Sequence, residues 1–208
     1  MPDWLDGAWV RDGRSIADGP PMECSDVVWL QVGCWFADLR LPRPGRPAVH
    51  AFDQAHAFSG LLEVAGPAVG NARVAWHHDL DSAGHGGDPD TAVLASRDGV
   101  LIESGDGYVE WWVRPEEVVD HRPLVLAWCP APGGDGARAR VVCTAGMAVV
   151  VWSGGAGDGG GAWCAAATGW EPARVVGVPP SGLDVAAALG AGLGDGPLPA
   201  HWHHEEVR

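Results

Sequence analysis

The stretch VAWHHDLD, residues 74–81, holds two histidines and two aspartates behind a tryptophan. Histidine titrates near neutral pH and can act as a general base, and both residue types also ligate metals. The flanking composition predicts a β-strand, in which successive side chains point to opposite faces. His78 then shares one face with Val74, Trp76 and Leu80. His77 shares the opposite face with charged residues: Arg73, Asp79 and Asp81.

Adjacent histidines on a strand point away from each other, so they cannot both bind one metal ion. The sequence therefore predicts no metal site here. His77 is expected to be solvated. Two interpretations of His78 stay open: a hydrogen-bonded core histidine, or a histidine that faces a ligand cavity and serves as a catalytic base.

A second candidate lies in YVEWWVR, residues 108–114, where Tyr108, Glu110 and Trp112 share one strand face with Arg114. This face is either the lumen of a barrel or a solvated outer surface with an ion pair. Glu103 lies shortly before it in VLIESG. If the face is internal, Glu110 or Glu103 can orient or complement His78, and Tyr108 can donate a hydrogen bond.

The chain contains twelve tryptophans. Each buries a large area and needs a partner for its N–H group, so the tryptophans form either a core or the wall of an aromatic ligand pocket. In WLQVGCWFADLR, regular alternation groups Gln31 with Trp29 and Trp35 and sets Asp38 and Arg40 on the other face, unless a bulge near Gly33 resets the pattern. The candidate ligand-binding residues are Trp29, Gln31, Trp76, Glu103 and Trp112.

The two glycine-rich stretches, residues 153–163 and 190–196, are interpreted as loops, because neither has the residues or the strand–helix context of a phosphate-binding motif. No nucleophile elbow and no zinc-protease motif is present. The C-terminal HWHHEEVR carries His201, His203, His204 and Glu205, which is expected to be a frayed tail rather than a metal site. No cofactor is predicted.

Composition limits the possible partners. The 208 residues carry a formal charge of −14, and arginine is the sole source of the 13 basic residues. An acidic chain without a basic run argues against nucleic acid and anionic membrane as partners.

No signal peptide and no apolar run of about 20 residues is found. The five cysteines have no paired spacing, which favours reduced, buried thiols and a cytoplasmic location.

Short strand-like runs rich in Val and Trp alternate with Gly, Asp and Pro along most of the chain. The pairs Asp98-Gly99 and Asp106-Gly107 predict hairpin turns. Only LDVAAALGAG looks helical, and Gly190 and Gly192 should stop that helix early. The pattern predicts an all-β fold, with one antiparallel barrel domain of about eight to ten strands over residues 1–200, at most one short helix near the C-terminus, and a His-rich tail over residues 201–208.

Five segments occur in this order: VVWLQVGCWFADLRLP, FDQAHAFSGLLEV, WHHDLD, LIESGDGYVEWWVR and VPPSGL. Together they resemble the Hri-type lipocalin-like proteins. That family is named for a fungal protein that associates with a kinase of the casein-kinase-1 type, and it has uncharacterised bacterial relatives. The matching elements are W-L-Q with D-L-R-x-P, W-x-H-x-L-D, and E-x-G with Y-x-E-x-W. Here they are Trp29, Leu30, Gln31, Asp38, Leu39, Arg40, Pro42, Trp76, His78, Leu80, Asp81, Glu103, Gly105, Tyr108, Glu110 and Trp112. The resemblance implies an antiparallel barrel related to lipocalins and nitrobindins, and no settled activity.

The functional expectation is a barrel that binds a small hydrophobic molecule in its lumen. Whether the barrel also acts on that molecule, as an acid/base isomerase, cyclase or lyase of specialised metabolism, stays open at this point. His78, Glu110 and Tyr108 are the candidate catalytic residues. The alternative is a non-catalytic module: a ligand carrier, a protein-interaction barrel, or a haem protein with a histidine ligand, as in nitrobindins. Barrels of this kind host many functions, so the fold favours neither interpretation.

Overall fold

The computed structural model describes residues 2–46, 53–66, 71–84, 87–116, 122–129, 136–154, 157–166, 169–194 and 196–207. Eight antiparallel strands close into a barrel in which each strand pairs with its neighbours in sequence and β1 pairs with β8. The strands are β1 (Gly7–Ile16), β2 (Ser25–Val32), β3 (Trp35–Pro42), β4 (His56–Ala65), β5 (Asn71–Asp81), β6 (Asp90–Arg97), β7 (Val100–Gly105) and β8 (Tyr108–Val113). The predicted all-β barrel fold is confirmed.

Both predicted Asp-Gly turns are confirmed. Asp98 and Gly99 join β6 to β7, and their φ angles of 51° and 82° fit a hairpin turn that needs two positive φ values. Asp106 and Gly107 join β7 to β8. This second turn brings Glu103 opposite Glu110 and Gly105 opposite Tyr108.

The sequence did not predict a second sheet, which follows the barrel. It has six antiparallel strands in the order β13-β12-β11-β10-β9-β14. Their bounds are β9 (Leu124–Trp128), β10 (Arg138–Thr144), β11 (Met147–Ser153), β12 (Gly159–Ala166), β13 (Gly169–Val176) and β14 (Trp202–His204). The eight-stranded barrel is thus complete by residue 113, and the later strand-like runs belong to this separate sheet rather than to the barrel wall.

One face of the second sheet packs against the outside of the barrel. Valines of the sheet contact the outward side chains of β2 to β5, among them Leu30, Leu39 and Leu80. Gly160 permits this close approach, because a Cβ there would lie 2.3 Å from the Cβ of Ala57. Central barrel strands are therefore buried on both faces, which accounts for the nearly continuous apolar sequence of β2 and β3.

The opposite face of the second sheet is covered by the one described helix, α1 (Val185–Leu193). Asp184 caps its N-terminus by accepting a hydrogen bond from the Ala187 N–H at 3.0 Å. The expectation that Gly190 and Gly192 end the helix early is wrong. Gly192 instead lets the helix approach the sheet, since a Cβ there would lie 2.8 Å from Leu124.

Three further expectations need correction. The chain reverses at Gly33, where φ is 54°, so Asp38 and Arg40 point into the barrel with Trp29 while Trp35 faces the second sheet. Residues 159–163 form part of β12 rather than a loop. The C-terminal residues 202–204 are not frayed but pair with β9 as an edge strand.

All five cysteines are unpaired thiols. Their burial differs from the expectation, because Cys143 is buried whereas Cys129 and Cys164 are exposed. Burial raises the pKa of the Cys143 thiol to about 12. In the described parts of the chain, no helix has the length and apolar character needed to cross a bilayer.

Candidate functional site

The barrel lumen divides into two ends of different chemistry. At one end, here called the tryptophan end, Trp29 packs edge-on against Trp76 and Trp112 and lies stacked beside Trp9. The Trp29 indole donates to the Gln31 carbonyl oxygen at 3.1 Å, which satisfies its buried N–H group. The candidate ligand-binding residues of this region thus contact one another, and the space that remains beside them is about 20 Å³.

A β-bulge decides which side chains of β5 face the lumen. The pairing with β4 shifts so that Ser59 is opposite Leu80 and Gly60 is opposite His78, which leaves Asp79 as the extra residue. Leu80 therefore points outward against the second sheet, and Asp81 turns inward beside His78. This reverses the faces that regular alternation predicted for Leu80 and Asp81.

Gly60 makes the bulge possible. A Cβ at this position would lie 1.8 Å from the carbonyl oxygen of His77, so no other residue fits without a backbone shift. The sequence offered a glycine in an otherwise apolar strand as the signal, since an isolated glycine in a strand often marks a bulge or a close backbone approach.

The inward turn of Asp81 joins two histidines. His78 Nδ1 lies 3.1 Å from one carboxylate oxygen, and His56 Nε2 lies 2.7 Å from the other. The Phe58 ring lies between the two imidazoles, with centroid distances of 4.4 Å to His78 and 4.8 Å to His56. Burial alone would raise the pKa of Asp81, but the hydrogen bonds from both histidines and from the Ala83 N–H hold it well below its usual range.

The partner of His78 is thus Asp81, rather than the Glu103 or Glu110 that the sequence suggested. His78 Nε2 is buried, makes no hydrogen bond to any described residue, and lies 3.5 Å from Asp90 Oδ2. The free volume of about 20 Å³ in this part of the lumen holds about one water molecule. A haem macrocycle on His78 does not fit this space.

At the other end of the lumen, here called the charged end, arginines and carboxylates form buried ion pairs. Arg11 donates to Glu110 Oε1 at 2.6 Å and to Glu23 Oε2 at 2.8 Å. The remaining pairs are Arg40 with Asp38 and Arg14 with Asp53. Burying an isolated charge costs free energy. Pairing each arginine with a carboxylate is what allows several charged side chains to lie inside the barrel.

Glu103 lies within this charged end, opposite Glu110 on the neighbouring strand. It accepts hydrogen bonds from the Tyr108 hydroxyl at 2.7 Å and from the Trp112 indole at 3.1 Å. Burial, and next the nearby Glu110 carboxylate, raise the pKa of Glu103 to about 8. Glu103 is therefore a carboxyl group that can hold or release a proton near neutral pH.

Gly105 explains the spacing of the E-x-G-x-x-Y motif. A Cβ at Gly105 would lie 2.1 Å from a ring carbon of Tyr108 and 2.6 Å from its hydroxyl. Glycine at this position therefore lets the tyrosine ring lie across β7 and reach Glu103. Burial, together with the neighbouring Glu103 carboxyl group, raises the pKa of Tyr108, so the phenol stays protonated and remains a hydrogen-bond donor.

An open cavity of about 160 Å³ adjoins the charged end, and we call it the mouth cavity. Its lining consists of Arg14, Ile16, Arg40, Asp106, Gly107, Tyr108 and Glu110. Glu110 Oε2 is buried and has no hydrogen-bond partner among the described residues, while Oε1 is bound by Arg11. A second cavity of about 230 Å³ shares Arg14 and Ile16 with it and continues along Pro20 and Met22.

A wider groove of about 500 Å³ lies along β5, β6 and β7, lined mostly by outward residues such as Arg73, Thr91 and Ser104. Among its described lining residues, none has a buried polar atom that lacks a hydrogen bond. No group of three or more His, Cys, Asp or Glu residues in the described ranges is arranged to hold a metal ion. The mouth cavity is therefore the candidate site.

The structure brings together Glu103, Tyr108, Glu110 and Trp112 from the predicted set, and the face of β8 whose direction the sequence left open points into the lumen. It places His78 beside Phe36 and Phe58, outside the lining of the mouth cavity. The sequence did not identify Arg11, Arg14 and His56, because a charged or ionisable residue at a strand position normally indicates an outer face. It did not identify Asp53, because this residue lies between β3 and β4, where the sequence gives no strand register.

Comparison with solved structures finds the uncharacterized protein YLR301w from Saccharomyces cerevisiae, with a TM-score of 0.63 and 12% sequence identity. The match covers 88% of this chain and 92% of the yeast chain. At this identity the likeness shows a shared fold alone. No protein-family model and no curated protein sequence matches the chain, and the resemblance to the Hri-type family stays a prediction.

Proposed function

We propose that this protein binds a small organic molecule in the mouth cavity at the charged end of the barrel. The observation that carries the proposal is Glu110 Oε2, a buried carboxylate oxygen that lines the cavity without a hydrogen-bond partner among the described residues. Leaving such an acceptor unsatisfied costs free energy, so a native site of this kind favours a ligand that donates to it.

The size of the cavity limits the ligand. A protein cavity of about 150 Å³ accommodates a molecule such as benzene, so the mouth cavity of about 160 Å³ suits a ligand fragment of roughly six heavy atoms. The adjoining cavity along Pro20 and Met22 can take an apolar extension. The sequence predicted a small hydrophobic ligand among the tryptophans. We propose instead a small ligand with an apolar part that lies beside the charged groups.

Acid/base catalysis is the second candidate, and the Glu103–Tyr108 hydrogen bond favours it. A carboxyl group with a pKa of about 8 is suited to proton transfer at neutral pH. In this proposal ionised Glu103 accepts the Tyr108 proton while the Tyr108 oxygen takes a proton from the ligand, and the reverse transfer returns the proton to another atom of the ligand. Glu110 orients the ligand.

His78 has a structural role in this proposal. Its imidazole holds Asp81 and stacks on Phe58, and the free space beside it is too small for a substrate. Its role as a catalytic base stays a prediction. We retain the cytoplasm as the proposed location, since five unpaired cysteines suit a reducing compartment.

A fragment screen that detects binding by protein NMR tests the proposal. A library of neutral, anionic and cationic molecules of up to about ten heavy atoms should shift the signals of Tyr108 and Gly107 at the cavity wall. The variant Ile16→Trp, which fills the cavity, should abolish these shifts. The matched variant Val109→Trp, on the outer face of the neighbouring strand, should leave them unchanged. Absence of any shift localised to the mouth cavity would refute the proposal.

A further inference from the structure

The charges around the mouth cavity are unbalanced. The buried and partly buried ionisable groups of the charged end comprise three arginines and five carboxyl groups: Arg11, Arg14 and Arg40 with Glu23, Asp38, Asp53, Glu103 and Glu110. Each arginine already has a carboxylate partner. The two carboxyl groups opposite each other on β7 and β8, Glu103 and Glu110, must share Arg11 and the more distant Arg40.

We infer that the mouth cavity selects a small primary alkylammonium ion, whose N–H group donates to Glu110 Oε2 and whose charge offsets the excess of carboxylates. This inference rests on the proposed function and names the chemical class of its ligand. A cationic donor is the best partner for a buried carboxylate oxygen. A hydrogen bond between ionised groups is about twice as strong as one between neutral groups.

The geometry of the two adjoining cavities gives the ligand its direction. Glu110 and Tyr108 lie at the charged side of the mouth cavity, whereas Ile16 lies where the two cavities meet and Met22 lines the second. Met22 is 48% exposed and so presents apolar surface to an incoming molecule. The ammonium group therefore lies at Glu110 and the alkyl chain runs along Ile16 toward Met22.

Binding of the cation must affect the proton on Glu103. The ionisable groups that face the Glu103–Glu110 pair come from three strands and one connecting segment. They are Arg11 and Arg14 of β1, Asp38 and Arg40 of β3, Tyr108 of β8, and Glu23, which lies between β1 and β2. A new positive charge beside them favours the ionised form of Glu103. The ligand should therefore displace up to one proton from Glu103 to the buffer at pH 7.

Calorimetric titration with hexylammonium, hexanol and hexanoate tests the inference on the unmodified protein. These three probes share one alkyl chain and differ in the head group. Hexylammonium should bind at least tenfold more tightly than the other two. It should also release protons, detected as a difference in heat between two buffers of different ionisation enthalpy. Shortening the chain to butylammonium should weaken binding by up to about fourfold for each methylene lost.

The variant Glu110→Gln supplies the control, because it keeps the shape of the side chain and removes its charge. The preference for hexylammonium over hexanol should disappear in this variant. If hexanol or hexanoate binds the unmodified protein as tightly as hexylammonium, or no protons are released, the inference is overturned while the proposed binding function stands. If none of the probes binds and the fragment screen also finds no ligand in the mouth cavity, both fail.

Discussion

The two ends of the barrel lumen are filled differently, one by aromatic rings and the other by charged side chains around a cavity. At the tryptophan end, large rings occupy the space and their buried N–H groups find partners within the chain, as the bond from Trp29 to Gln31 illustrates. At the charged end, ion pairs line a cavity, and one carboxylate oxygen of Glu110 has no hydrogen-bond partner in the described part of the chain. Aromatic content therefore marks the core of this barrel, and incomplete pairing of charge marks the candidate site.

Removing the central ring of the tryptophan end should give the largest effect on stability. Trp29→Ala should lower the free energy of unfolding by about 3–5 kcal/mol, because it deletes a buried indole that contacts three other tryptophans. Urea denaturation followed by tryptophan fluorescence measures the loss. Trp111→Ala, at a partly exposed position on the outer face of the barrel, is the matched control and should cost clearly less than Trp29→Ala. Equal losses would contradict the assignment of Trp29 to the core.

Breaking the β5 bulge should come next in size. Gly60→Ala places a methyl group against the His77 carbonyl oxygen, so the backbone must shift and the variant should lose about 2–3 kcal/mol. Thermal and urea denaturation check this value. Gly87→Ala is the control, since no atom lies within 4 Å of a Cβ there, and its stability should change by less than about 0.5 kcal/mol. A tolerated Gly60→Ala would mean that the bulge does not fix Asp81.

Substitutions of the adjacent residues His77 and His78 distinguish a structural role of His78 from a catalytic one. His78→Ala should cost about 1–3 kcal/mol by removing a hydrogen bond to a buried carboxylate, and ligand binding in the mouth cavity should survive. His77→Ala should change both quantities little, because its side chain is 45% exposed and pairs only with a solvated Glu63. Paired melting and binding measurements decide the matter. Loss of binding without loss of stability in His78→Ala would restore His78 as the site.

Glu103→Gln should change the free energy of unfolding least at neutral pH, because the glutamine side chain resembles a protonated carboxyl group. In the unmodified protein the folded state holds this proton up to a pKa of about 8, whereas an ordinary glutamate releases it near 4.5. The folded state thus binds more protons between these values, so this group makes stability fall as pH rises from about 4.5 to about 8.

Denaturation curves of both proteins across this pH range measure the effect. The free energy of unfolding of Glu103→Gln relative to the unmodified protein should increase with pH and become constant above about pH 8. A difference that does not vary with pH would show that Glu103 ionises normally, and would remove the acid/base candidate.

Local sequence pattern predicted much of the barrel and part of the site. Strand alternation placed Glu110 and Trp112 on one face with Tyr108, and Asp-Gly pairs marked two hairpins. The inward turn of Asp81 could not be predicted, because the bulge depends on Gly60 of the neighbouring strand, and the contact is made only after the strands pair. The second sheet escaped prediction because its valine-rich strands carry the same signals as barrel strands.

The ion pairs of the charged end were unpredictable for a different reason. Arg11 and Arg14 lie on β1 with different parity, and the register shift between Arg11 and Gly13 brings both into the lumen. Their partners, among them Glu23 and Asp53, lie in segments between strands, where sequence alone gives no register. A pattern that concerns one strand at a time therefore finds the wall of the site but not the charges that complete it.

The closed barrel has no free strand edge. The edge strands of the second sheet are therefore the ones whose unpaired backbone groups could pair with a strand of another molecule. One of its edges, β14, is only three residues long. The other, β13, contains Pro172, which cannot donate a backbone hydrogen bond, and a register shift interrupts its pairing beside Trp163. The charged residues Glu171 and Arg174 lie close to this proline in the sequence. These features are the ones that natural sheets use to resist edge-to-edge polymerisation, and they favour a chain that stays dispersed at high concentration.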